Sequence, residues 1–275
     1  MINIYAGGIT ICCNLLHEAE FKSLSRYKTD KKCEFFLNSE VGTPIFSKME
    51  RDFETEYFEI YKTENGMYQL QRYGDNIIGG ILYQNKTITC YLFNDTYQTE
   101  YLLTQYAFVY WIRHYTKSLF IHSSSIMVND RGFLLCAKSG TGKSTHRRLW
   151  EQNGAICIND DKNVISLIDD KLYIMPNPWS GKHYVDNNFK TELKALVFLY
   201  QNKENVVERL DEVVAMKLLL GQIQLPSKES KDNWSDIVDK LLSLRLLKLG
   251  CNMEMEAYEV LEKKLEDVLY EKKGQ

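Results

Sequence analysis

A mixed α/β chain, of the α+β kind, is what three observations predict. Turn-punctuated runs rich in tyrosine and β-branched residues fill the first half, and a strand, glycine loop, helix, strand order begins at Leu119. Helical candidates close the sequence. With 275 residues, 44% of them apolar, there is chain enough for one large domain or two modest ones.

The first half reads as antiparallel sheet. Glu54 to Lys62 alternates polar and apolar residues, and Asn65-Gly66 is a hairpin signal before Met67 to Tyr73. Gly74-Asp75 turns into Ile77 to Tyr83, and Asn85-Lys86 into Thr87 to Leu92. Glu100 to Lys117 has helical length, with aromatic residues nearly all round it, as a helix buried on several sides would have. These elements give an antiparallel β-rich region with a closing helix over 1–117, and a second domain over 118–275.

In the second domain Leu119 to His122, Ile126 to Val128 and Phe133 to Cys136 read as strands, the last entered by the turn Asn129 to Gly132. A helix follows from about Lys143 to Gln152, then the short apolar strand Ala155 to Ile158. Val164 to Leu167 and Lys171 to Met175 form a hairpin around Asp169-Asp170, and Ala195 to Tyr200 is a buried strand. Asp232 to Lys248 and Met253 to Lys272 read as helices, the second with Val260, Leu261, Leu265, Val268 and Leu269 along one face. That stripe is too short for a coiled-coil seam, so a homo-oligomer is neither required nor ruled out.

A formal charge of −3 offers no basic surplus for nucleic acid, and no apolar run approaches a membrane span. The N-terminus lacks the pattern of a signal peptide, and the seven cysteines form no CxxC pair. The expectation is a cytoplasmic protein with buried, reduced thiols and with neither nucleic acid nor membrane as partner.

The chemistry is concentrated after residue 120. Ala137-Lys-Ser-Gly-Thr-Gly-Lys-Ser144-Thr145 matches the Walker A pattern, with alanine in the first glycine position. Gly140 and Gly142 let the backbone curl with its N–H groups inward, and the helix starting near Lys143 adds its positive end. Ser139, Gly140, Thr141, Gly142, Lys143, Ser144 and Thr145 are thus the candidate ATP contacts, with Lys143 on the β- and γ-phosphates and the Ser144 hydroxyl on Mg²⁺. Asp160 and Asp161 follow an apolar strand, where phosphoryl-transfer proteins place an acidic group for the metal. One carboxylate would hold the metal while the other accepts a proton; the plain alternative is a solvated Asx turn at a strand end, which Asn159 would also suit. His122 alone decides nothing. The loop Asn177 to His183 carries Lys182 and His183 as candidate substrate contacts, against the reading of an ordinary turn packed on the core through Trp179.

Taken together, His122, the loop Ala137 to Ser144, and Ile158-Asn-Asp-Asp161 resemble the HPr kinase/phosphorylase family. The Pro-Trp-Ser-Gly-Lys segment and Leu246 to Cys251 look more like a smaller branch of that family associated with peptide modification. The resemblance runs from about 119 to 200, with a weaker echo to 265. It implies a fold related to phosphoenolpyruvate carboxykinase, Asp160 as base, Asp161 assisting the metal, and His122 beside the γ-phosphate. It also implies transfer to a serine hydroxyl of a peptide or small-protein acceptor. The Glu-Arg-Gly-type signature of the bifunctional members is absent, which weighs against phosphorolysis. The competing expectation is a nucleotide-binding accessory protein without transfer. A GTPase is disfavoured because Asn202-Lys-Glu-Asn205 lacks the final aspartate of the guanine-reading loop.

Overall fold

In the computed structural model, which describes residues 1–180, 187–223 and 234–270, the tyrosine-rich first half folds as one eight-stranded sheet. Its strands are β1 (Ile2–Ala6), β2 (Ile9–Asn14), β3 (Phe35–Val41), β4 (Met49–Glu54), β5 (Phe58–Thr63), β6 (Gly66–Tyr73), β7 (Asn76–Gln84) and β8 (Thr87–Leu92). The spatial order is β1-β2-β3-β8-β7-β6-β5-β4. From β4 to β8 the meander is antiparallel, but β3 runs parallel to both β2 and β8. The sheet is therefore mixed rather than wholly antiparallel. The stretch between β2 and β3 contains a 3-10 turn, Lys22–Tyr27, and is long enough for the crossover that a parallel pair needs. The strand expected over Glu54 to Lys62 begins only at Phe58, because Thr55 Oγ1 accepts from the backbone N–H groups of Tyr57 and Phe58, at 3.1 Å each, and turns the chain out of β4.

The helix α1 (Tyr97–Tyr115) buries Leu103, Ala107, Phe108 and Trp111, with the Trp111 ring 5.2 Å from that of Phe35. Gly79 on β7 permits this approach, since a Cβ there would lie 2.7 Å from the Leu103 side chain. The chain divides into two compact units, Met1–Trp111 and Ile112–Gln275. No helix among the described residues is long and apolar enough to cross a membrane.

The second unit holds β9 (Ser118–His122), β10 (Ser124–Val128), β11 (Arg131–Cys136), α2 (Lys143–Gln152), β12 (Ile156–Asn159), β13 (Lys162–Ile168) and β14 (Lys171–Met175). There follow β15 (Thr191–Gln201), β16 (Val206–Arg209), α3 (Glu212–Leu220), α4 (Ser235–Leu242), β17 (Arg245–Cys251) and α5 (Glu256–Leu269). The eleven-residue β15 is the spine. It lies parallel to β11 along one edge, while its other edge pairs with β14 and then, in parallel, with β17. Helices α2 and α5 pack on one face through Leu149, Trp150, Tyr258, Leu261 and Leu265. Helices α3 and α4 cover the other through Ala215, Leu219, Ile237 and Leu241.

The helix expected over Asp232 to Lys248 is shorter than that. Among its described residues α4 ends at Leu242, and the leucine-rich remainder is β17, a strand buried on both faces. A short apolar run has no period of its own, and its place beside β15 decided the outcome.

His146 on α2 is 2% exposed, and neither ring nitrogen finds a well-formed hydrogen bond. Burial disfavours the charged imidazolium and lowers its pKa from 6.5 to about 4. The folded state therefore binds this proton less readily than the unfolded chain. Stability is full above the unfolded pKa, falls as pH drops through the window from 6.5 to about 4, and levels off below it. The expected loss is as much as about 3 kcal/mol. Urea titrations at stepped pH measure it, and His146→Leu should flatten that acid limb.

Candidate functional site

Strand β11 is buried and ends at Cys136, so the loop that follows emerges at the carboxyl edge of the sheet. Gly140 (φ 80°) and Gly142 (φ 114°) occupy the left-handed region that a side chain disfavours. Gly142 opens α2, its carbonyl accepting from His146 N at 2.9 Å. Ala137 packs into the apolar cluster beneath α2, which is why a methyl group is accommodated where the motif has glycine. Lys143 is buried, and its Nζ donates to Ala137 O at 2.7 Å, folding the side chain back across the loop. Burial lowers its pKa while the charge of Asp161 opposes that shift. Ser139 and Gly140 are exposed, and Thr141, Gly142, Ser144 and Thr145 are half-buried along the same curve.

The acidic pair is held from both sides. Asn159, at the end of β12, accepts through Oδ1 from Asp161 N (3.0 Å) and Lys162 N (2.9 Å), an Asx turn. Its Nδ2 donates to Trp179 O at 3.1 Å. Three fully buried serines, Ser123 in the β9–β10 connection and Ser124 and Ser125 at the start of β10, grip the same turn. Ser125 Oγ bonds the backbone of Asn159, Ser124 Oγ donates to Asp160 O (3.1 Å), and Ser123 N donates to Asp161 O (3.0 Å). Asn163 Nδ2 reaches Ser123 O at 2.6 Å, and Asn177 Nδ2 reaches Lys162 O at 3.0 Å. Trp179 is fully buried, as the packed-turn reading of its loop required. Lys182 and His183 lie outside the described residues.

Asp160 is buried, whereas the Asp161 carboxylate is about a third exposed and has its Oδ1 3.1 Å from His122 Nε2. Burial pushes the Asp161 pKa up. The hydrogen bond from His122 and the charges of Lys162, His122 and Lys143 outweigh it and hold the group below its ordinary value. Gln222 ties this corner to the glycine loop. Its carbonyl accepts from His122 N (2.8 Å), and its amide, with nitrogen turned inward, donates to Ala137 O (3.1 Å) and His122 O (3.2 Å). The fold thus brings His122, Asp161 and Lys143 to one end of the sheet.

Among the described residues no three His, Cys, Asp or Glu side chains converge into a self-sufficient metal cage. The donor set suits Mg²⁺ instead, which takes one or two protein oxygens and completes its octahedron with phosphate and water. Ser144 and Asp161 are the residues whose oxygens could hold it. Sequence reasoning missed Ser123 to Ser125, Asn163 and Gln222. A serine run between strands reads as a loop, and only burial shows that it binds backbone.

Asn159→Ala removes three bonds at one turn and is expected to cost about 1–3 kcal/mol of unfolding free energy in urea titration. Asp161 contributes stability above its unfolded pKa, and that contribution is lost as pH falls through the lower folded value. In His122→Asn the Asp161 titration, followed by carboxyl NMR, should move up toward the ordinary carboxylate range.

No protein-family model matches the chain, and no curated protein matches it in sequence. Among solved structures, the Hpr(Ser) kinase/phosphatase from Coxiella burnetii is similar at 11% identity and a TM-score of 0.33, over 54% of this chain and 97% of its own. At that similarity the site must be read from its own geometry.

Proposed function

We propose that the unit from Ile112 to Gln275 is a phosphotransferase. It binds ATP with Mg²⁺ at Ala137 to Thr145 and passes the γ-phosphoryl group to a hydroxyl. The observation that carries this reading is the glycine loop between a buried strand and a helix N-terminus, with Lys143 folded over it and the Asp161 carboxylate within reach of the lysine's charge. Backbone N–H groups and the lysine supply charge stabilisation where the transferred group gains it.

We assign the roles from the motif-level resemblance, with the placement of the two carboxylates in support. Asp161, the more exposed carboxylate and the one in the field of Lys143, is the metal ligand together with Ser144. Bound Mg²⁺ would neutralise β- and γ-phosphate oxygens. Asp160 takes the acceptor's proton as the new O–P bond forms; the bond from the γ-phosphorus to the bridging oxygen breaks, and ADP leaves with that electron pair. His122 holds Asp161 in place. A serine of a peptide or small protein is the acceptor that the motif-level resemblance favours, with Lys182 and His183 as its candidate contacts.

Calorimetry with Mg-ATP should show binding that Lys143→Ala weakens by about tenfold or more, the loss of a charge-assisted contact. With labelled ATP and serine-containing peptides, Asp160→Asn should lower transfer by about 10²–10⁴-fold while leaving ATP affinity within a few-fold. Binding without product from any hydroxyl acceptor would make the protein a nucleotide-dependent scaffold. No binding by folded protein would sink both readings.

A further inference from the structure

Two side chains share one carbonyl at the start of the glycine loop. Lys143 Nζ donates to Ala137 O at 2.7 Å, and the Gln222 amide, with nitrogen turned inward, donates to it at 3.1 Å. Among the described residues these two are its donors. Ala137 is 6% exposed, and its methyl group is packed in the apolar cluster beneath α2, so the peptide is not free to turn its oxygen toward water. Lys143 folds back across the loop to make its bond, and reaching a phosphate over the loop draws Nζ away from Ala137 O. We infer, on the footing of the phosphate site proposed above, that Gln222 is a positioning residue for the ligand-bound state: it keeps the Ala137 carbonyl satisfied when Lys143 leaves it for the phosphoryl groups.

Three features support this role. Gln222 is held in place by its own backbone, just past the end of α3. Its N–H donates to Leu219 O at 2.8 Å, its carbonyl accepts from His122 N at 2.8 Å, and the next residue, Ile223, bridges to Ile121. The amide is therefore set against the loop before any ligand arrives. Its chemistry suits the task as well. A side-chain amide carries two N–H donors, and here they are divided between Ala137 O and His122 O, the second at 3.2 Å. Being neutral, it satisfies the carbonyl without competing with Lys143 for an anion. The third feature is the difference in cost between the two states. A buried carbonyl left with no donor bears its full desolvation penalty, whereas one that loses one of two donors does not. Gln222 thus makes the lysine's charge cheap to release.

The test is a double-mutant cycle on the full chain, read by Mg-ATP calorimetry and by urea titration. Gln222→Met keeps the length of the side chain and removes both donors; Gln222→Leu replaces it should that variant fail to fold. With Lys143 present, the substitution should leave the urea midpoint nearly unchanged, because the lysine still satisfies Ala137 O. ATP affinity should fall by about 5- to 100-fold. In the Lys143→Ala background the pattern should invert. ATP affinity should barely respond, and the urea midpoint should drop, since Ala137 O then has no donor with or without nucleotide. Unchanged ATP affinity in the single variant, or the same fold loss in both backgrounds, would overturn the role and leave the phosphate site standing. Where Lys143→Ala binds too weakly to titrate, the urea arm decides, and strictly additive effects there overturn the role. A folded wild type that binds no Mg-ATP would overturn the phosphate site and this role together.

Discussion

Strand ends are where a sheet runs out of partners, and this fold depends on how that shortage is met at one corner of the second unit. The backbone from Asn159 to Lys162 leaves the ladder inside the protein, where an unpaired amide or carbonyl would carry the full cost of desolvation. Ser124, Ser125, Asn159 and Asn177 supply missing partners from short side chains that lose little rotamer freedom when buried, and the Ser123 backbone N–H supplies another. A network of this kind rigidifies only when its members are mutually satisfied. The acidic turn is therefore fixed by polar contacts beneath it, which leaves the Asp161 carboxylate free to face outward toward His122.

Electrostatics then couple this turn to the glycine loop. Lys143 is buried against Ala137 O and loses some of its preference for the charged form; Asp161 restores part of it, and is itself held ionised by Lys143, Lys162 and His122. Gln222 braces the same corner by bonding both Ala137 and His122 through their carbonyls. Each charged group is in part the solvent of the next, which is what a site made for a highly charged ligand requires before that ligand arrives.

The sequence was legible where local chemistry decides structure. The hairpins of the meander, the left-handed aspartates at Asp169-Asp170, the glycine loop and the helix after it all follow from turn and capping rules. It was illegible where partners are distant. The parallel placing of β3 depends on pairing with β8, far along the chain, and β17 depends on a slot beside β15. A leucine run offers no period that separates strand from helix, and a serine run offers no sign that it will be buried. Asn159 was visible only as an ordinary Asx residue. The Asx turn is there, but buried rather than solvated, and it is also the one that presents the carboxylates.

The topology explains why the acidic turn and a cavity fall on opposite sides of the loop. Leaving β11, the chain enters α2 on one face of the sheet, while α3, which follows β15 and the short β16, covers the other face. Elements that leave neighbouring parallel strands toward opposite faces open a crevice at the carboxyl ends, the place where α/β sheets bind ligands. On the far side of β11 the antiparallel partner β10 reverses direction, and through β12 it brings the acidic turn to the same edge. The loop after β11 therefore has carboxylates to one side and, to the other, a cavity whose walls mix Phe198, Tyr200 and Leu218 with Lys138, Lys217 and Lys248.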